Sequence, residues 1–123
     1  MQDTRPWLVV RRNLIINDKK TDPEVYEGEL PMADAPPQLP NAKDIIGNGL
    51  ARTTVSYQFG HKSYGNGGEV MVSVSLSHDQ SNDGLYWGHE VAKAFALSHA
   101  ERNLAELEQK LVQMGLVAPP SNP

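Results

Sequence analysis

Four histidines are the residues of this chain best suited to chemistry, at positions 61, 78, 89 and 99. Imidazole holds metals and moves protons near neutral pH, so spacing decides what each can do. His89-Glu90 begins like the zinc-protease helix, in which a second histidine four residues on shares the face of the first. Position 93 is Lys93, so the motif is absent. His99 is turned about 80° away from His89 on an ideal helix. A metal site would need the fold to gather histidines from separate elements. His78-Asp79 with Asp83 could supply a base and its orienting carboxylate, and with His89 a metal-dependent hydrolase. Asp79, Asn82 and Asp83 read more simply as turn and capping residues between a strand and a helix. No serine stands in a nucleophile-elbow setting, and the chain has no cysteine. The reading is a protein that is not an enzyme, with no cofactor and no metal ligands.

The segment 60–68 is glycine-rich and carries His61, Lys62 and Tyr64. A phosphate cradle needs consecutive amides at a helix start and a Gly-Lys-Ser/Thr ending; here a strand follows and that ending is missing. A flexible hairpin tip is the simpler reading. The alternative is a nucleic-acid face built from Arg52, Gln58, Lys62 and Tyr64, where an aromatic ring stacks on bases and cations meet phosphates. Arg5, Arg11 and Arg12 could extend it. Eleven basic residues against fifteen acids, net −4, give the chain no general attraction to phosphate or to anionic lipid.

These residues are positioned by a simple series of elements. Residues 1–17 contain one strand or two short ones, with Arg11-Arg12-Asn13 as the interruption. Residues 18–49 are acidic and carry Pro23, Pro31, Pro36, Pro37 and Pro40, which predicts an excursion that is extended or disordered. Residues 50–115 form the core. Ala51, Thr53, Val55, Tyr57 and Phe59 alternate along one strand, and Val70, Val72, Val74 and Leu76 along the next. A long helix follows, capped by Ser81, Asn82 or Asp83 and ended by Gly115. Residues 116–123 are a tail. The class is α+β, a small antiparallel sheet of two to four strands packed by one long C-terminal helix.

Leu97, Ala100, Leu104, Leu107, Leu111 and Met114 keep heptad spacing along that helix. The stripe could pack on the chain's own sheet. The helix, however, is expected to outrun so small a sheet, and its far half then needs a partner. Trp7 and Trp87 read as core or core-edge anchors, and as interface anchors if exposed.

The run 68–76, a polar turn and an alanine-rich helix with a leucine seam resemble small uncharacterised accessory proteins of tailed bacteriophages. The resemblance covers residues 51–115 and implies work in a bacterial host cytoplasm, such as inhibition, replication or virion assembly. The apolar runs are too short for a signal peptide or membrane span, so cytoplasm is the expected compartment. The expected function is non-catalytic protein–protein interaction. The partner is a second copy or another protein, docked on the helix seam, with nucleic-acid binding at the hairpin face as the alternative.

Overall fold

The computed structural model describes residues 5–31 and 51–117. Its elements in chain order are β1 (Trp7–Ile16), β2 (Lys19–Lys20), β3 (Glu24–Glu29), β4 (Ala51–Ser63), β5 (Asn66–His78) and α1 (Asn82–Gln113). Among the described residues the five strands form one antiparallel sheet. β1 and β5 are central, β4 lies on one edge, and β2 and β3 share the other edge beside β1. The architecture is α+β, with α1 laid along one face.

The alternation of the strands decides that face. Val70, Val72, Val74 and Leu76 of β5 point inward with Leu8 and Val10 of β1, and all are buried. Phe95, Ala96, Ala100 and Leu107 of α1 close over them. The helix packs chiefly on β5 and β4 and barely touches β1. Leu30, just past β3, fills part of the space left over β1.

Several expectations change. Residues 11–13 do not break the first strand, which runs from Trp7 to Ile16. Successive side chains point to opposite faces, so Arg11 goes to solvent and Arg12 to the helix side. Residues 18–31 include two extended pieces that join the sheet: β2 and β3 both pair with β1, β3 from Trp7↔Glu29 to Arg12↔Glu24. Residues 32–49, the rest of that segment, lie outside the described residues, as do residues 1–4 and most of the C-terminal tail.

Nor is the 60–68 segment a long loop. The hairpin strands run through it to a two-residue turn at Tyr64-Gly65, closed by the Ser63↔Asn66 pair. Both turn residues have positive φ, 53° and 81°, as a type I′ turn requires. The strands therefore span 13 residues each, about 43 Å at ~3.3 Å per residue. The 32-residue helix is about 48 Å long at 1.5 Å per residue. The helix exceeds the strands by only about 5 Å, roughly one turn, and its far half is covered by the hairpin, where Leu107 packs on Gly68.

The helix ends are set by local chemistry. Ser81 is the N-cap, its hydroxyl accepting from the Gly84 amide at 3.0 Å. At the other end Gly115 takes φ +74°. The Leu116 amide donates to Leu111 and the Gly115 amide to Val112, each at 3.0 Å, which is a Schellman motif.

Candidate interaction site

The histidines are not brought together. His78 is buried under α1, where its Nδ1 donates to the Asp79 carbonyl at 2.8 Å. In the neutral ring its Nε2 then accepts from the Thr53 hydroxyl. The ring lies so close to α1 that a Cβ on Gly88 would sit 2.3 Å from His78 Cδ2. Gly88 is thus a contact surface inside the helix. His89 is solvent-facing beside Glu90, and His99 is buried at the helix–sheet interface. Among the described residues no group of three His, Asp or Glu is arranged to hold a metal. None of their helices is long and apolar enough to cross a membrane.

The leucine seam divides. Ala100, Leu107 and Leu111 are buried in the chain's own interior. Leu104 is half-buried and packs against the same core. Leu97 is likewise half-buried, and the cap residue Met114 is 54% exposed. The heptad pattern therefore mainly describes attachment to the sheet. Leu97 and Leu104, one heptad apart, lie on the flank of α1 nearer β4. Beside Leu104, the helix residues Leu107, Glu108 and Leu111 line a crevice with His61 and Ser63 of that strand.

The hairpin face is assembled as its alternation predicts. Arg52, Gln58 and Lys62 share the outer face of β4, and Tyr64 stands fully exposed at the turn. The charges there are largely spent within the molecule. Lys62 pairs with Asp18 at 2.8 Å. Arg52 donates to Ser77 Oγ and to the Arg5 carbonyl, both at 2.9 Å. Glu27 and Glu29 lie on the same outer face, as does Glu69, which holds Lys20 at 3.1 Å. Hydroxyls bond to each other across the strands, Thr54 to Ser75 at 2.8 Å and Ser56 to Ser73 at 2.7 Å. This face offers a phosphate chain little net positive charge. Compared with protein-family models, curated proteins and solved structures, the chain matches none.

The two sheet edges differ sharply. On the β3 side, Arg12 points inward with its side chain 16% exposed. It binds Glu106 of α1, Asn103 at 2.9 Å and Glu24 of β3 at 3.2 Å. Lys110 reaches the same Glu24 at 3.3 Å. Burial opposes the charge on Arg12, and the hydrogen bonds to Glu106 and Glu24 overcome it, so its pKa is raised. The bonds from Lys110 and then Arg12 hold the Glu24 carboxyl below its ordinary value. This clamp ties β1, β3 and α1 together, and no sequence pattern announces it.

Among the described residues the β4 edge has no such device. It runs for 13 residues with no proline, and from Thr53 to His61 it carries no Asp, Glu, Lys or Arg. Val55, Tyr57 and Phe59 are only partly buried against the core, and the two rings stack at 5.8 Å. In a two-residue hairpin the closing pair exchanges hydrogen bonds, and bonding then alternates along the strands. The odd-numbered residues of β4 therefore direct their main-chain groups to β5. The amides and carbonyls of Thr54, Ser56, Gln58 and Gly60 point to the free edge. Among the described residues no strand pairs there.

Proposed function

We propose that this chain is a non-catalytic protein-interaction module that self-associates through the β4 edge and the adjoining flank of α1. The supporting observation is the long, uncharged middle of β4 beside the partly buried Val55, Tyr57 and Phe59. Proteins ordinarily blunt such an edge with charge, proline or a covering element, because it is a template for another strand. Strand addition here satisfies main-chain groups directionally, while Leu97 and Leu104 supply apolar area above them.

The reading moves the interface from the inward half of the leucine seam to its outward flank. Size-exclusion chromatography with light scattering at about 100 µM tests it, on wild type and Ser56→Pro. Proline at 56 removes an amide aimed at the free edge and leaves the β5 ladder intact. A wild-type dimer converted to a folded monomer by the substitution supports the proposal. A wild-type monomer removes it.

A further inference from the structure

Two contacts fix how far along β4 each part of α1 lies. Gly88 packs on His78, which pairs with Ala51, and Leu107 packs on Gly68, which pairs with His61. Ser56 is midway between Ala51 and His61, and Leu97 is next to the midpoint between Gly88 and Leu107. The centre of the strand edge is therefore level with Leu97.

We infer that the partner is a second copy of this chain, paired antiparallel along β4 about a two-fold axis passing through Ser56 and beside Leu97. This rests on the self-association proposed above and specifies its geometry. Pairing must keep odd residues opposite odd ones, because a one-residue slip would turn the apolar side chains of one copy to the other face. Centring on Tyr57 sets Arg52 opposite Lys62 twice, and like charges directly opposed are destabilising. Centring on Ser56 sets Arg52 opposite Gly60, Thr54 opposite Gln58, and Val55 opposite Tyr57, a β-branched residue against an aromatic ring. Those pairs exchange about ten main-chain hydrogen bonds, the number of a standard interface.

The helices agree with this axis. Joined strands lie ~4.8 Å apart, and each helix rides over its own β4 and β5, so the helix axes come to about 10 Å. That is an ordinary helix-packing distance. Lys93 stands four residues before Leu97 and Glu101 four after it, and both are exposed. Across a two-fold at Leu97, each lysine meets the glutamate of the other copy. Shifting the axis by one strand residue moves the helix level by about two residues and breaks this match.

The chain's lack of cysteine makes the geometry testable with single substitutions. Residues opposite in a hydrogen-bonded pair have Cα atoms about 5.5 Å apart, within disulfide reach, whereas a two-residue shift exceeds it. Ser56→Cys oxidised with diamide is expected to give a covalent dimer on non-reducing gels, and Thr54→Cys and Gln58→Cys are not. Lys93→Glu and Glu101→Lys are each expected to weaken the dimer about tenfold, and the double exchange to restore it. A dimer that cross-links through Thr54→Cys or Gln58→Cys but not Ser56→Cys overturns the axis and leaves self-association standing. Failure of the double exchange to restore affinity overturns the helix contact. A monomer throughout overturns the self-association reading as well.

Discussion

The two edges of one sheet are finished in opposite ways. β3 is six residues long and carries Glu24, Glu27 and Glu29, each engaged by a side chain from β1, α1 or the segment before β1. Arg12 and Lys110 bind Glu24, the Trp7 indole donates to Glu27 at 3.3 Å, and Arg5 pairs with Glu29 at 3.5 Å. β4 is more than twice as long, and its charged residues, Arg52 and Lys62, lie near its ends. Short length and dense charge keep an edge from recruiting strangers. One edge of this sheet is tied down by charged side chains of its own chain, and the other carries no Asp, Glu, Lys or Arg from Thr53 to His61.

Breaking the closed edge carries the largest expected effect. Arg12→Ala leaves Glu24 and Glu106 close together with Lys110 as their remaining cation. Because Arg12 is mostly buried, the loss should be about 1–3 kcal/mol in denaturant unfolding. The oligomeric state should not change, since the clamp is on the far side of the sheet. Next is Ser56→Lys, which gives β4 the charge that β3 already has. In the paired form it sets two lysines opposite each other. The dimer should weaken at least tenfold, or about 1.4 kcal/mol, while monomer stability stays within ~0.5 kcal/mol. Equal loss of fold and assembly would show that the edge serves stability alone.

The smallest effect is pH dependence of the β3 clamp. The folded-state pKa of Glu24 lies below its ordinary 4.5. Its contribution is therefore fully present above that value and is lost as pH falls through the lowered folded value. The Glu24 side chain is 60% exposed, so solvent screening keeps the change under about 1 kcal/mol. Unfolding at pH 6 and pH 3 in wild type and Glu24→Gln isolates it: the substitution should flatten that part of the slope. An unchanged slope would contradict the clamp.

The elements that repeat locally were the legible ones. Period-two alternation in β4 and β5, the Ser81 cap and the Gly115 stop are all decided within a few residues of sequence. The clamp was not legible, because Arg12 finds partners 12 and 94 residues away and its neighbour Arg11 looks identical in type. β3 was hidden for a related reason: an acidic segment becomes a strand here because β1 offers it a ladder and cations. Gly88 stands inside α1 because the His78 ring packs against it, a contact that no local pattern announces. The turn is not legible because Tyr64 adopts a left-handed conformation that asparagine or glycine usually signals. Heptad spacing marks the leucine seam but does not say whether a sheet or a partner lies beneath it, and here Ala100, Leu107 and Leu111 turn to the chain's own core while Met114 is exposed.

Concentration-dependent amide hydrogen exchange along β4 tests the central claim most directly. The amides of Val55, Tyr57 and Phe59 face β5 and should be protected at every concentration. Those of Thr54, Ser56 and Gln58 face the free edge; they should exchange rapidly in dilute protein and become protected as its concentration rises. Rapid exchange of Thr54, Ser56 and Gln58 at all concentrations would mean that the edge recruits no second copy, and the account would fail.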